Sequence, residues 1–152
     1  MTERTRHAAL DAFGVLVGEW EMTAEFPGMD PVGGATATFE WMEGGMLLVQ
    51  RWQVPIPEAP DGIAVYGYDE GRGSVLQHYF DTRGVIRLYE ASIEGGTWTL
   101  ERRTGDFSPL EFGQRFIGKI AGDGTTIEGT WQIADDNETF EKDFEMTYRK
   151  VA

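Results

Sequence analysis

Apolar and polar residues alternate with a period of two along almost the whole chain after residue 18. In the first such segment, Trp20, Met22, Ala24 and Phe26 fall on one face, and every intervening residue is polar or charged. This period is typical of a β-strand that buries one of its two faces. The dipeptide Pro27-Gly28 then ends the segment. The pattern therefore predicts a half-buried first strand.

Nine further segments with strand character follow, separated by short glycine-rich breaks of the kind that form tight turns. Counting the first, the pattern predicts ten strands. The nine are Ala35–Trp41, Met46–Gln53, Ile63–Asp69, Val75–Asp81, Val85–Ser92, Thr97–Arg103, Glu111–Lys119, Thr125–Ala134 and Thr139–Arg149.

A single segment near the N-terminus has a different period. Leu10, Phe13, Leu16 and Val17 recur at helical spacing, which predicts one short helix over residues 5–17. Gly18 is placed to end it.

One short helix followed by ten antiparallel strands leaves two architectures, a sandwich and an up-and-down barrel. Nearly every connection has hairpin length, which favours the barrel, and closure removes exposed strand edges. We therefore expect an all-β, closed antiparallel barrel that occupies residues 1–152 as one domain. Ten strands should leave internal space, and we expect a cavity of roughly 300–1,000 Å³, the usual range for ligand sites.

Composition excludes several classes of function. The 152 residues include no cysteine and carry a formal net charge of −13, so we expect neither nucleic acid nor an anionic membrane as partner. Two distant histidines, His7 and His78, do not make an ordinary zinc site, and no metal is expected. No apolar run approaches ~20 residues, and the first ten residues are too polar for a signal peptide, so a cytoplasmic location is expected.

Local motifs resemble those of the calycins. Gly18-Glu19-Trp20 follows a short helix and opens the first strand, as the Gly-x-Trp motif does in lipocalins, fatty-acid-binding proteins and nitrobindins. The runs 39–45 (FEWMEGG), 78–85 (HYFDTRGV) and 114–116 (QRF) resemble a bacterial lipocalin-like family of unknown function. The resemblance covers nearly the whole chain. It implies a ten-stranded barrel with a small-molecule cavity and no assigned reaction.

The same resemblance suggests structural roles for Gly18, Trp20 and Arg149. Lipocalins usually carry an arginine near the last strand that stacks on this tryptophan, and Arg149 has the corresponding place, although alternation sets it opposite Phe144, Met146 and Tyr148. Nitrobindins hold haem through a histidine of the C-terminal strand. Residues 141–144 read EKDF, so haem is not expected.

His78, Asp81, Arg87 and Tyr89 form the densest polar and aromatic cluster, on two strands joined by residues 82–84. If Gly84 is a bulge, His78 lies on one face and Asp81, Arg87 and Tyr89 share the other; without the bulge, His78 and Arg87 share a face. The cluster either orients a ligand inside the barrel or forms cross-strand pairs outside it.

Further cavity candidates lie on other strands. Gln114 and Arg115 are adjacent, so only one of them points inward, and an inward arginine would suit an anionic ligand group. Trp41, Trp52, Trp98 and Trp131 lie on four strands, either as core or as an aromatic cavity wall. The full candidate set is Trp41, Trp52, His78, Asp81, Arg87, Tyr89, Gln114 and Arg115.

Three functional hypotheses follow. The leading one is a carrier or sensor for a small, largely apolar or amphipathic molecule with a polar head. The second is an isomerase, cyclase or hydrolase that uses His78 or Asp81 as acid or base, with Arg115 or Tyr89 as electrostatic partner. The third is a protein-interaction module on the outer face. The oligomeric state is left open, with a homodimer as one option.

Overall fold

Ten antiparallel strands form a closed barrel in the computed structural model, which describes residues 5–103, 112–136 and 138–152. Around the barrel the order is β1-β10-β9-β8-β7-β6-β5-β4-β3-β2, so each strand pairs with its sequence neighbours and β1 closes on β10. The strands are β1 (Gly18–Glu25), β2 (Val32–Trp41), β3 (Leu48–Gln53), β4 (Gly62–Asp69), β5 (Ser74–Asp81), β6 (Ile86–Glu94), β7 (Thr97–Arg102), β8 (Gly113–Ile120), β9 (Thr126–Ala134) and β10 (Glu141–Lys150).

The predicted ten-stranded, up-and-down barrel is confirmed. Most strand boundaries differ by only a few residues from those that the alternation predicts. The second strand begins earlier, at Val32, because the hairpin partner of Ala24 lies there after a bulge. Glu111, the predicted start of the eighth strand, lies outside the described residues.

The N-terminal helix is shorter and tighter than predicted. It consists of α1 (Ala8–Asp11) followed directly by a 3₁₀ helix (Ala12–Leu16). Leu10, Phe13 and Leu16 are all buried, at 1% exposure or less. Phe13 and Leu16 belong to the 3₁₀ helix, and their spacing of three residues matches its three residues per turn, which keeps both on one side. Leu10, one turn earlier in α1, is buried with them. That side packs into one end of the barrel, against Tyr66.

Gly18 and Trp20 join this helix to the barrel. The Trp20 Nε1–H donates to the Leu16 carbonyl at 2.8 Å, and the ring is 1% exposed. Gly18 has φ of +140°, and a Cβ there would lie 2.6 Å from the Ala152 carbonyl oxygen. The cation over the Trp20 ring is Lys150, whose Nζ lies 5.5 Å from the ring centroid. Arg149 is exposed on the outer face, because alternation along β10 turns adjacent residues to opposite sides.

The two ends of the barrel therefore differ. One end, here called the helix end, is plugged by the N-terminal helices. The other, here called the loop end, carries the connections that follow β1, β3, β5, β7 and β9. No helix in the described part of the chain is long and apolar enough to span a bilayer.

Candidate functional site

A cavity of about 480 Å³ lies inside the barrel. This volume falls within the range expected from the strand number. Inward-facing residues of the strands line it. At the loop end it is lined by Arg83, Phe112 and five residues of the connection after β3, namely Val54, Ile56, Glu58, Ala59 and Pro60. Most lining side chains are apolar or aromatic. The polar ones are few and lie in two separate groups, one towards each end.

The inner group is here called the floor and consists of Gln50, Gln77, Trp98 and Tyr148, which all line the cavity and are at most 5% exposed. Behind it, Tyr66 donates its hydroxyl proton to Gln50 Oε1 at 2.7 Å and accepts from Gln77 Nε2 at 2.8 Å. Tyr148 lies beside the Gln50 side chain. The two hydrogen bonds of Tyr66 connect β3, β4 and β5.

The floor is electrically neutral. Burial raises the pKa of Tyr66 well above its ordinary value, against the opposing effect of the hydrogen bond from Gln77. Burial also raises the pKa of Tyr148, with Gln50 opposing the shift. Desolvation disfavours a phenolate in both places, so both hydroxyls stay protonated at any physiological pH.

Two buried polar atoms of the floor have no hydrogen-bond partner among the described residues. They are the indole Nε1 of Trp98 and the amide Oε1 of Gln77. Buried polar groups are almost always paired in folded proteins, and each exception calls for an explanation. Here one unpaired group is a donor, and the other is an acceptor.

Aromatic rings form the wall between the floor and the loop end. Trp52 stacks on Tyr79 at 5.3 Å, Tyr79 meets Tyr89 edge to face at 6.2 Å, and Tyr89 meets Trp131 at 5.9 Å. The Tyr89 hydroxyl donates to Gln114 Oε1 at 2.8 Å. These distances are those of favourable ring pairs, so the wall has a fixed shape.

Charged groups are concentrated at the loop end. Asp81 accepts a hydrogen bond from the Tyr79 hydroxyl at 2.7 Å and forms an ion pair with Arg83 at 2.7 Å. Burial of the Asp81 carboxyl favours a higher pKa, but the bonds from Arg83 and Tyr79 outweigh it and lower the pKa. Arg87 lies over the rings of Tyr79 and Phe112 and forms no ion pair within the described part of the chain.

The turn after β5 decides which candidates face inward. Gly84 has φ of +82° and donates its N–H to the Asp81 carbonyl at 2.9 Å, while the Asp81 N–H donates to the Val85 carbonyl. This is a three-residue hairpin loop with a glycine bulge. It sets Tyr79 opposite Arg87 and His78 opposite Leu88, so the bulged register of the two alternatives is the observed one.

Four of the eight candidates line the cavity: Trp52, Arg87, Tyr89 and Gln114. Asp81 does not line it, although its carboxyl is fully covered and bonds two lining residues, Tyr79 and Arg83.

The other three lie elsewhere. His78 is on the outer face, between Val65 and Leu88. Trp41 is at the helix end, with the Arg6 guanidinium 3.8 Å from its ring centroid. Arg115 points outward, where its Nε donates to Gln132 at 2.8 Å and its guanidinium lies over Phe140. Alternation turns Arg115 away from the inward Gln114 and Phe116.

Sequence reasoning missed the glutamines of the floor. Gln50 alternates with Leu48 and Trp52, and Gln77 alternates with Val75 and Tyr79. Each glutamine is a single polar residue on an otherwise apolar strand face, and this pattern could have identified both as candidate site residues. Arg102 was missed too. It is 3% exposed and follows Trp98 and Leu100 on the inward face of β7.

The described residues contain no cluster of three or more His, Cys, Asp or Glu side chains placed to hold a metal ion. Carbonyl, amide, hydroxyl and indole groups dominate the polar lining. The arrangement is therefore one that can orient a small molecule by hydrogen bonds within an aromatic enclosure.

Comparisons with known proteins identify a similar fold but assign the chain to no family. No protein-family model matches the chain, and no curated protein matches it significantly. The crystal structure of Rv2717c from M. tuberculosis is similar, with a TM-score of 0.64 and 16% sequence identity, over 97% of this chain and 100% of that chain. Together with the ten-stranded barrel, this likeness supports a calycin-like fold. At such low identity it carries no function.

Proposed function

We propose that the protein binds a small, largely apolar molecule with a polar head inside the barrel, as a carrier or sensor. The observation that carries this proposal is the cavity of about 480 Å³, which has an aromatic wall and a few buried polar groups. Ligand sites in proteins usually combine a concave apolar lining with a small number of polar groups that fix orientation. We further propose that this binding takes place in the cytoplasm.

The position of His78 weakens the enzyme alternative. That alternative assigned acid–base work in the cavity to His78 or Asp81, yet His78 faces outward, and the Asp81 carboxyl is occupied by Tyr79 and Arg83. A general acid or base must reach the reacting atom. Ligand binding therefore has the better support.

A pair of variants tests the proposal. Ala35 lines the cavity and is 7% exposed, whereas its neighbour Thr36 is exposed on the outer face. A phenylalanine at position 35 fills part of the cavity, and one at position 36 does not. With 2-methylnaphthalene as probe, we expect Ala35→Phe to weaken binding about tenfold or more, and Thr36→Phe to change it less than about twofold.

Native mass spectrometry of the wild-type protein supplies an independent readout, the mass of a co-purified small molecule. Circular dichroism of both variants checks that the barrel is intact. Equal binding by the two variants, or no probe binding and no added mass in the wild type, would contradict the proposed function.

A further inference from the structure

We propose that the floor of the cavity recognises an uncharged head of the carboxamide or lactam type, which accepts a hydrogen bond from Trp98 and donates one to Gln77. The inference rests on the proposed function, because it assumes that the cavity holds a ligand. Beyond the proposed function, it specifies the chemical class of the polar head and states that the head points to the floor of the cavity.

Two atoms of the floor, one a donor and one an acceptor, are available to bond a ligand. Trp98 is 1% exposed and Gln77 is 4% exposed, and both line the cavity. Neither Trp98 Nε1 nor Gln77 Oε1 has a partner among the described residues. A ligand that fills the floor with hydrocarbon would leave both atoms unpaired and shielded from water, which is unfavourable. A ligand that offers one acceptor and one donor satisfies both.

The hydrogen bonds behind the floor fix which atom of Gln77 faces the ligand. Tyr66 has one hydroxyl proton, and it is donated to Gln50 Oε1. The Tyr66 oxygen can then only accept from Gln77, so the Gln77 amide nitrogen must point to it. The Gln77 carbonyl oxygen is therefore left as a free acceptor, and the complementary ligand group is a donor.

The charged side chains of the cavity lie away from the floor, at the opposite end. The floor contains two amides, an indole and a phenol. The charged side chains that line the cavity, Glu58, Arg83, Arg87 and Asp143, belong to the loop end by their positions in the strands and loops. A carboxylate or ammonium group at the floor would lose its hydration without an opposite charge to replace it. An amide pairs with both unpaired atoms and remains neutral.

Ring contacts hold the Trp98 donor in place. Its ring meets Phe116 at 4.8 Å, Tyr148 at 5.8 Å and Phe39 at 6.0 Å. Such packing restricts the indole, so its N–H is fixed before a ligand arrives. A preorganised donor gives more selectivity than one that must be ordered on binding.

Three naphthalene probes of similar size test the inference: 2-naphthamide, 2-naphthoate and 2-methylnaphthalene. Each is titrated into uniformly ¹⁵N-labelled protein, whose five tryptophans give five indole signals, with that of Trp98 assigned by its loss in Trp98→Phe. We expect 2-naphthamide to bind about tenfold more tightly than 2-methylnaphthalene, as two added hydrogen bonds would give. It should also shift the Trp98 indole proton, whereas 2-naphthoate should not.

Two variants remove one partner each, and a third is the control. Trp98→Phe keeps a ring but removes the N–H, and Gln77→Met keeps the chain length but removes the carbonyl. Each should reduce the preference for 2-naphthamide over 2-methylnaphthalene to about threefold. Trp41→Phe, which removes an indole at the helix end that does not line the cavity, should keep the tenfold preference.

The outcomes separate the inference from the proposed function. Equal affinity for 2-naphthamide and 2-methylnaphthalene in the wild type would overturn the inference and leave the proposed function standing. So would a shift of the Trp98 indole by 2-naphthoate, or a preference that survives in Gln77→Met. Failure of all three probes to bind the wild-type protein would overturn the inference, and if native mass spectrometry also showed no added mass it would overturn the proposed function itself.

Discussion

The helix end and the loop end of this barrel are built from the same ten strands but have opposite characters. At the helix end, Leu10, Phe13 and Leu16 form an apolar plug, and the polar floor above it is neutral and fully buried. At the loop end, charged residues such as Asp81, Arg83 and Arg87 meet rings that are only partly buried.

The difference shows how stability and ligand access are divided in one small barrel. Burying apolar side chains at the helix end supplies stability, because burial removes large apolar surfaces from water. The loop end retains charge and partial exposure, so it contributes less to stability and offers contacts to a ligand. Four predictions test this division, from the largest expected effect to the smallest.

The largest effect should come from the plug. Phe13 is fully buried, whereas Phe26 at the loop end is half-buried and stacks on Phe144 at 4.8 Å. Phe13→Ala should lower the free energy of unfolding by about 3–5 kcal/mol, since it leaves a cavity. Phe26→Ala should lower it by only about 1 kcal/mol. Urea denaturation measures the free energy of unfolding of both variants, and equal losses would show that the two ends contribute equally to stability.

A smaller effect is expected from the ion pair at the loop end. Because Arg83 remains largely exposed, Asp81→Asn should lower the free energy of unfolding at pH 7 by about 1 kcal/mol. The pKa of Asp81 is lowered from its ordinary value of 3.8, so its contribution is fully present above that pH. It is lost as the pH falls through the folded-state value.

Urea denaturation of wild type and Asp81→Asn across pH measures this dependence. The difference between the two proteins should be constant at neutral pH and shrink below pH 3.8. A difference that disappears already near neutral pH would show that the carboxyl is not held by Arg83 and Tyr79.

Two half-buried arginines test whether a negatively charged ligand group is bound at the loop end of the cavity. Arg87 lines the loop end, and Arg115 lies on the outer face with Gln132. Arg87→Ala should weaken binding of 2-naphthoate by about fivefold, the loss of one charge-assisted contact near solvent. Arg115→Ala should leave it unchanged. Calorimetric titration measures both, and a matching loss in Arg115→Ala would place the carboxylate outside the cavity.

The smallest effect concerns pH and the floor. Because burial raises the pKa of Tyr66 and Tyr148, no floor residue should change charge between pH 5 and pH 9. The affinity for 2-naphthamide should therefore vary by less than about twofold over that range. A tenfold change, measured in the same calorimeter, would reveal a titrating group beside the head.

Much of the fold followed from the sequence because alternation and turn residues act locally. The period of two separated inward Trp20 and Met22 from the outward glutamates of β1, and glycine-rich breaks marked the hairpins. The helix was less predictable. Leu10, Phe13 and Leu16 suit an α-helix and a 3₁₀ helix alike over so short a segment, and packing into the barrel end favours the tighter form.

The candidate site was only partly predictable. Adjacent residues on a strand must face opposite ways, yet alternation alone does not say which face is inside for a segment of mixed character such as residues 114–116 of β8. The same ambiguity affected His78, whose side depended on the turn at Gly84. A shift of one residue in register exchanges the two faces of a strand.

By itself the sequence determined that the chain forms a barrel of ten strands with an aromatic interior, because those properties depend on local period and composition. Only the tertiary structure decided the register at Gly84, the outward position of Arg115, and the meeting of Tyr148 with Gln50. Tyr148 and Gln50 are nearly a hundred residues apart in the chain, on strands that do not pair with each other. Closure of the barrel alone brings them together, and no local pattern encodes a contact across its interior.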